Sequence, residues 1–368
     1  MMKKLNEKSW KKFDVFGPKG FLQIATTNSS IDSIRLKDSK EKKVPYITRT
    51  DSLNGVARFV GEENYDYGSD DAGCITVGLD TQTAFYQPHK FVTGQNIQII
   101  SGDTITKDSA HFYVTILKKQ MVAKFNWGGN GATLGRMKRL EAMLPTSESD
   151  APDYEYMADY IRKKRHALMC KYRKYLQRQI SNLGKCADVL PLTDKKWEPF
   201  ILDDIFTISS GTRLESRNKQ LGTRPFIGAA DNNNGVTGFV SNNNASKDSN
   251  VLGVNYNGNG MCIGFYHPYE CIFSDDVKRF HLKNYEDNAY VLLFFKSIIL
   301  KQKSKFGYLY KFNAERMAKQ RLLVPVNDDG KPDYEYMEQY AKNMMLKKYK
   351  QYLAFLETKE KSTMVQVP

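Results

Sequence analysis

The sequence predicts an α+β protein: two pseudo-two-fold-related, mostly β domains, each followed by a long helix, the two helices packed as an antiparallel coiled-coil-like pair. Three observations carry this. The chain repeats itself, for Asp153-Tyr154-Glu155-Tyr156-Met157 returns 180 residues on as Asp333-Tyr334-Glu335-Tyr336-Met337. At the same offset Asn54-Gly55-Val56 returns as Asn234-Gly235-Val236, Phe59-Val60 as Phe239-Val240, and Arg136-Met137 as Arg316-Met317. A period this long is a duplicated domain, since solenoid repeats run to about 20–50 residues. Second, short β-type runs punctuated by Asn-Gly and glycine-rich turns fill the first part of each copy. Third, a stretch of helical apolar spacing, free of proline and glycine, closes each copy.

The elements follow in order. Residues 1–150 form the first β-rich domain, with Val44-Pro45-Tyr46-Ile47, Ile97-Gln98-Ile99-Ile100 and Phe112-Tyr113-Val114-Thr115-Ile116-Leu117 as its clearest extended runs. Residues 151–190 form a central helical region, opened by Pro152-Asp153, because an acid in the first turn complements the macrodipole. Its apolar stripe is Tyr154, Met157, Ile161, Leu168, Tyr172, Leu176 and Ile180. Residues 191–330 repeat the β-rich domain, with Pro225-Phe226-Ile227-Gly228 and Val251-Leu252-Gly253-Val254. Residues 331–368 repeat the helix, with the stripe Tyr334, Met337, Ala341, Met345, Tyr349, Tyr352 and Leu356. Helices of about 28 residues are roughly 40 Å long.

Composition narrows the partner. With 41% apolar and 12% aromatic residues the 368-residue chain has enough to build two cores. Its net charge of +14 points to a polyanion, nucleic acid before an anionic membrane. No apolar run reaches the roughly 18–20 residues that span a bilayer. Met1-Met2-Lys3-Lys4-Leu5-Asn6-Glu7-Lys8 does not lead into an apolar stretch, so no secretory signal is expected. The five cysteines (Cys74, Cys170, Cys186, Cys262, Cys271) form no Cys-x-x-Cys pair, so neither zinc nor a disulfide framework is expected. A reducing, cytoplasmic setting fits.

The order globular–helix–globular–helix resembles the specificity subunits of type I restriction-modification systems. Lys196-Trp197-Glu198-Pro199-Phe200-Ile201-Leu202-Asp203-Asp204-Ile205-Phe206, then Ser210-Gly211, is similar to the opening of a target recognition domain of that family. Trp10, Phe13 and Phe16 give a weaker version in the first copy. The helix start departs from the usual type I pattern. Val324-Pro325-Val326-Asn327-Asp328-Asp329-Gly330-Lys331-Pro332-Asp333 looks more like BcgI-like type IIB specificity subunits. The resemblance implies that residues 1–150 and 191–330 are target recognition domains, each reading one half of a bipartite sequence in double-stranded DNA. It implies that the helices set the spacing and dock methyltransferase subunits together with a restriction/translocase subunit, or else a fused methylase-nuclease. S-adenosylmethionine, Mg and, in some assemblies, ATP are then expected on those partners and none on this chain.

Candidate DNA contacts come from side-chain chemistry. Arg213, Arg217, Lys219 and Arg224 cluster after Gly211, and Arg35, Lys37, Lys43 and Arg49 occupy the corresponding stretch of the first copy. Such residues clamp phosphates, and arginine can bind guanine O6 and N7 together. Asn232, Asn255, Tyr256 and Asn257 lie in Asn- and Gly-rich loops, where Asn can pair with adenine N6 and N7. Asn234-Gly235, in contrast, reads as scaffold, because Asn-Gly is a turn signal and Asn54-Gly55 repeats it. Asn126 and Trp127, and Lys305 and Tyr308, sit in matching glycine-bearing loops that suit either DNA contact or a structural turn. The basic residues Arg162 to Arg165, Lys171, Arg173, Lys174 and Arg178 fit DNA contact, an acidic partner, or the plain solvent face of a helix.

Catalysis by the chain alone is not expected. Pro152-Asp153 and Pro332-Asp333 lack a following Glu-x-Lys on a strand, and no Asn-Pro-Pro-Tyr or Asp-Pro-Pro-Tyr segment exists. A stand-alone nuclease and a duplicated adaptor that binds only protein are the rivals from other classes.

Overall fold

The computed structural model describes residues 3–125, 131–257, 260–307 and 309–364, with side chains through 358. The chain divides into two units, Met1–Tyr172 and Arg173–Pro368. The first contains β1 (Trp10–Asp14), β2 (Gln23–Thr26), β3 (Val44–Ile47), β4 (Val56–Val60), β5 (Cys74–Gly78) and β6 (Ala84–Gln87). β7 (Val92–Thr93), β8 (Ile97–Ser101) and β9 (Glu141–Pro145) follow, with α1 (Ser109–Lys124) and α2 (Leu134–Met137), and α3 (Tyr154–Leu183) starts in this unit and ends in the second. These strands make a four-stranded sheet β2-β8-β5-β6, a three-stranded sheet β4-β3-β7 and the pair β1-β9. Only β3 and β7 run parallel among these pairings.

The second unit repeats this strand for strand. It contains β10 (Trp197–Ile201), β11 (Phe206–Ser210), β12 (Leu221–Ile227), β13 (Val236–Val240) and β14 (Val251–Asn255). β15 (Gly264–His267), β16 (Ile272–Phe273), β17 (Val277–Leu282) and β18 (Arg321–Pro325) complete it, with α4 (Leu202–Ile205), α5 (Ala289–Leu300), α6 (Ala314–Lys319) and α7 (Tyr334–Met364). The sheets are β11-β17-β14-β15, β13-β12-β16 and β10-β18, and the β12–β16 pair is again the parallel one. Each unit has its own core. Ile75, Ile100, Leu117 and Met121 anchor the first, and Leu252, Phe280, Phe295 and Phe312 the second.

Phe112–Leu117 corrects the sequence reading. Its β-branched and aromatic residues suggest a strand, but it is the middle of helix α1. Phe112, Tyr113, Leu117 and Met121 are buried there, at helical spacing against the four-stranded sheet and β9. Packing overrides a propensity difference worth only tenths of a kcal/mol per residue.

The repeated Asp-Tyr-Glu-Tyr-Met segment is a clamp at the start of each long helix. Asp153 accepts the Tyr156 N–H at 2.9 Å, and Asp333 accepts the Tyr336 N–H at 3.0 Å. Both are therefore N-caps and not first-turn acids. The same carboxylates pair with Lys8 at 2.6 Å and Lys195 at 2.7 Å, and each ammonium also lies over the ring of Tyr156 or Tyr336. Those tyrosine hydroxyls donate to the carbonyls of Lys3 and Leu190. The indoles of Trp10 and Trp197 donate to Leu5 and Leu192. Met157 and Met337 are fully buried beneath the clamps.

Further along, the apolar stripe needs correction. Leu168 is 68% exposed, and Tyr172 and Tyr352 also face out. Met169, Arg173 and Leu353 take the half-buried positions instead, while Leu176, Leu346 and Leu356 are buried. At 3.6 residues per turn the buried line runs 161, 165, 169, 173, 176, 180, one residue off the sequence reading at its middle.

Candidate nucleic-acid interface

In the second unit backbone and side-chain hydrogen bonds gather four loops at one end of the sheets. Gly211 N–H donates to Val277 and Thr212 N–H to Phe273, which root the basic loop after β11. Asn255 donates its side-chain amide to Ala230 at 2.8 Å, Tyr256 N–H donates to Asp276, and Asn257 donates to the Asp276 carboxylate at 2.9 Å. Arg213, Asn232, Tyr256 and Asn257 therefore share this end. Arg213 and Asn232 are exposed, and Tyr256 and Asn257 are half-buried. Lys278 lies beneath them, with its ammonium 4.7 Å from the Tyr256 ring centre and donating to the Ser210 hydroxyl at 2.7 Å. Burial lowers its pKa, with Asp275 and Asp276 opposing that shift.

Two proposed DNA contacts are corrected here. Asn255 is the last residue of β14 and fully buried, its amide spent on Ala230, so it braces the loop and cannot reach a base. Arg224 is held by Glu270 at 2.9 Å through Nε and by the carbonyls of Ser241 and Asn242 through Nη1, so most of its donors are turned into the fold.

Arg217 and Lys219 sit toward the other end of β12. Asn242 fixes this stretch, accepting from Gln220 N–H at 2.8 Å and donating to the Asn218 carbonyl at 3.0 Å. Arg217 is exposed and paired with Glu215, and the Lys219 ammonium lies 4.2 Å from the Phe226 ring centre. Arg213 and Arg217 both pair with Glu215, so the basic stretch read from the sequence runs as one loop from the end of β11, in the four-stranded sheet, to the start of β12, in the three-stranded one. Lys305 is exposed in a short 3-10 turn whose following aromatics stack, Phe306 on Tyr310 and Arg316 over Tyr310. Asn126, Trp127 and Tyr308 lie outside the described residues.

The first unit follows the same plan with different chemistry. Arg49 pairs with Asp80, which also accepts from Asn96, at the hairpin between β5 and β6. Lys37 pairs with Asp66 at 2.7 Å, Lys43 with Glu41, and Arg35 is exposed on the 3-10 turn Ser33–Arg35. Asn64, fully buried, accepts from Lys37 N–H and donates to the Lys37 carbonyl. Asn64 and Asn242 are positioning residues that sequence reasoning missed. Their only signal is an Asn shortly after each repeated Phe-Val pair.

The two copies share turns and differ in loops. Asn54 and Asn234 both take left-handed φ, 59° and 55°, followed by Gly55 at 78° and Gly235 at 72°. A Cβ on either glycine would lie about 3.3 Å from the side chains of Ile47 and Phe85, or of Ile227 and Phe265. The next hairpin, by contrast, closes from Gly78 to Thr83 in the first copy and from Asn255 to Ile263 in the second. A common scaffold thus carries loops of different length and composition.

Among the described residues no group of three or more His, Cys, Asp or Glu is placed to hold a metal ion. Burial pushes the thiols of Cys74, Cys262 and Cys271 up to about 12, which disfavours the thiolate form. No described helix is long and apolar enough to cross a membrane.

Two copies of one mostly β scaffold, with exposed cations on divergent loops and a long helix after each, define a duplicated recognition protein. The type I restriction modification DNA specificity domain matches the chain twice, over residues 10–168 and 194–353, and the chain belongs to that family. It is 42% identical over 304 residues to the Type II restriction enzyme BgcI specificity subunit S.BcgI of Heyndrickxia coagulans, covering 83% of this chain and 86% of that protein. Among solved structures it is similar to the type I restriction-modification S subunit from M. genitalium, with TM-score 0.47 and 14% identity over 99% of this chain and 95% of that one. It is also similar to the HsdS subunit from Thermoanaerobacter tengcongensis, with TM-score 0.32 and 12% identity over 94% and 93% of the two chains.

Proposed function

We propose that this chain is the DNA-sequence specificity subunit of a restriction-modification enzyme, each unit reading one half of a bipartite duplex target. The observation that carries the reading is the double family match lying on two structural copies whose scaffolds agree and whose loops differ. Half-sites of different sequence need that combination. Exposed Arg35, Arg213, Arg217 and Lys305 supply phosphate contacts, and the loop ends around Arg49 and around Asn232 and Asn257 supply base contacts. The chain itself is non-catalytic. Asp153 and Asp333, the carboxylates nearest to a nuclease pattern, are spent on helix capping and on Lys8 and Lys195.

Methylation and cutting belong to partners in this reading. Those partners bind S-adenosylmethionine, Mg and, where translocation is involved, ATP, and they act in the cytoplasm on chromosomal and invading DNA. A type I assembly adds separate methyltransferase and restriction/translocase subunits. The 42% identity to the S.BcgI specificity subunit favours the second assembly, with a fused methylase-nuclease. Selection from a random duplex library by the complete complex tests the reading: two short constant blocks at one fixed spacing are expected, and no enrichment would overturn it. Cleavage that proceeds without ATP identifies the BcgI-like assembly, and strict ATP dependence the type I assembly.

A further inference from the structure

One aspartate recurs in the two copies in the same backbone setting, buried in the first and half-buried in the second. Asp70 forms an antiparallel bridge with Phe91, and Asp248 forms the same bridge with Cys271. Phe91 and Cys271 stand 180 residues apart, so the two carboxylates occupy equivalent places. Asp70 is 3% exposed, and the Asp248 side chain is 17% exposed. Neither belongs to the loops that carry the exposed cations, yet both reach the roots of those loops.

The two routes differ. In the first copy Asp70 holds the root directly, accepting the Thr27 hydroxyl with one oxygen and the Asn28 N–H at 3.1 Å with the other. Thr27 and Asn28 are the first residues after β2, where the stretch to Arg35, Lys37 and Lys43 begins. In the second copy Asp248 acts through an arginine. Its carboxylate accepts Arg279 Nη1 at 2.8 Å, and Arg279 Nη2 donates to the Ser210 carbonyl at 3.0 Å. Ser210 ends β11, immediately before the loop of Arg213 and Arg217. The same Asp248 oxygen also takes His281 Nε2 at 3.0 Å, so the carboxylate stays paired when the arginine is removed.

We infer that Asp70 in the first copy, and Asp248 through Arg279 in the second, are positioning residues that set the direction in which each recognition loop leaves its sheet. This inference rests on the proposal that these loops read DNA. The duplication kept the carboxylate and changed the intermediary, which lets the two loops leave at different angles from one scaffold.

The test uses the complete complex and its mapped bipartite target, with duplexes in which one half-site at a time is replaced. Discrimination is the ratio of affinities for intact and half-replaced DNA. Asp70→Asn is expected to lower discrimination at one half-site by about tenfold, the scale of one misread base pair, and to leave the other half unchanged. Arg279→Met is expected to do the reverse, with Arg279→Lys restoring most of the loss. Affinity for unrelated DNA should stay constant in all three. Unchanged discrimination in folded Asp70→Asn and Arg279→Met would overturn the inference, as would equal loss at both halves. If either variant does not fold, Thr27→Val and Arg279→Gln carry the same comparison. The double variant Arg213→Glu/Arg217→Glu separates the two ideas. Undiminished DNA affinity there removes the loop-reading proposal itself, whereas weakened affinity with intact discrimination in the positioning variants removes only this inference.

Discussion

Replacing Asp333 by alanine removes three things at once from the start of α7. The Tyr336 N–H loses its cap, which costs about 1 kcal/mol. Lys195 loses a partner at 2.7 Å in a pair whose side chains are only 13% and 19% exposed. Breaking a fully buried pair costs about 3–5 kcal/mol, so this partly solvated one should cost about 1–2 kcal/mol. The ammonium over Tyr336 then loosens the hydroxyl bond to Leu190, a smaller loss. Together the change should destabilise the second unit by about 2–3 kcal/mol. Asp153→Ala should do the same to the first unit, since the cap, the lysine and the tyrosine are repeated there. Lys11→Ala is the control, because its pair with Asp150 is 51% and 67% exposed and worth at most about 0.5 kcal/mol. Urea unfolding followed by tryptophan fluorescence reads the midpoint shift at constant m. If Asp333→Ala and Asp153→Ala shift the midpoint no more than Lys11→Ala, the clamp is not what fixes the helix start and the reasoning is refuted.

Other consequences follow from the same structure. Gly235→Ala and Gly55→Ala force a side chain into φ near 70–80° against Ile227 and Phe265 or Ile47 and Phe85, so each should cost about 1–3 kcal/mol in thermal or chemical unfolding. His281 is raised from 6.5 to about 9 by its bond to Asp287 and then by Asp248. Its folded form holds the proton more tightly, so the stability it adds is complete below pH 6.5 and lost as pH rises through about 9. That contribution is at most about 3 kcal/mol, and His281→Gln should flatten the melting temperature across that window. His267 is pushed down to about 4 by burial, so its contribution is present above pH 6.5 and lost as pH falls toward 4. His267→Gln, which supplies the residue of the first copy at Gln87, should therefore reduce acid sensitivity in a melting series. Arg213→Glu/Arg217→Glu should weaken DNA binding of the complex and reduce the slope of log affinity against log salt by about 1 for each lost phosphate contact, measured by fluorescence anisotropy.

The duplication was legible because the turn and helix-start residues are fixed by backbone geometry. Asn54-Gly55 and Asn234-Gly235 must take left-handed φ, and Asp153 and Asp333 must cap, so both copies kept them. The opening strands were harder to align, because Trp10 and Trp197 stand 187 residues apart and not 180. Length changes between them and the Asn-Gly turn fall mostly in the loops, where no packing constrains length. Phe112–Leu117 was misread because β-branched and aromatic residues have the same appearance on a buried helix as on a strand. The site was only partly legible. Exposed cations such as Arg213 and Arg217 could be named from composition, but charge alone does not tell an arginine braced by Glu270 from one facing solvent. Asn255 shows the same limit, since its chemistry suits adenine and its place at the end of β14 spends that chemistry on Ala230. Asp70, Asp248, Asn64 and Asn242 act through contacts of long sequence separation, which no local pattern announces.

The central claim is that two copies of one scaffold read two halves of one DNA sequence for a modifying partner. Methylation-sensitive sequencing of a host with and without this gene tests it most directly. A bipartite methylated motif that disappears on deletion is the predicted result, and it would give both half-sites and their spacing. An unchanged methylation pattern, in a host whose methyltransferase partner is active, would contradict the account.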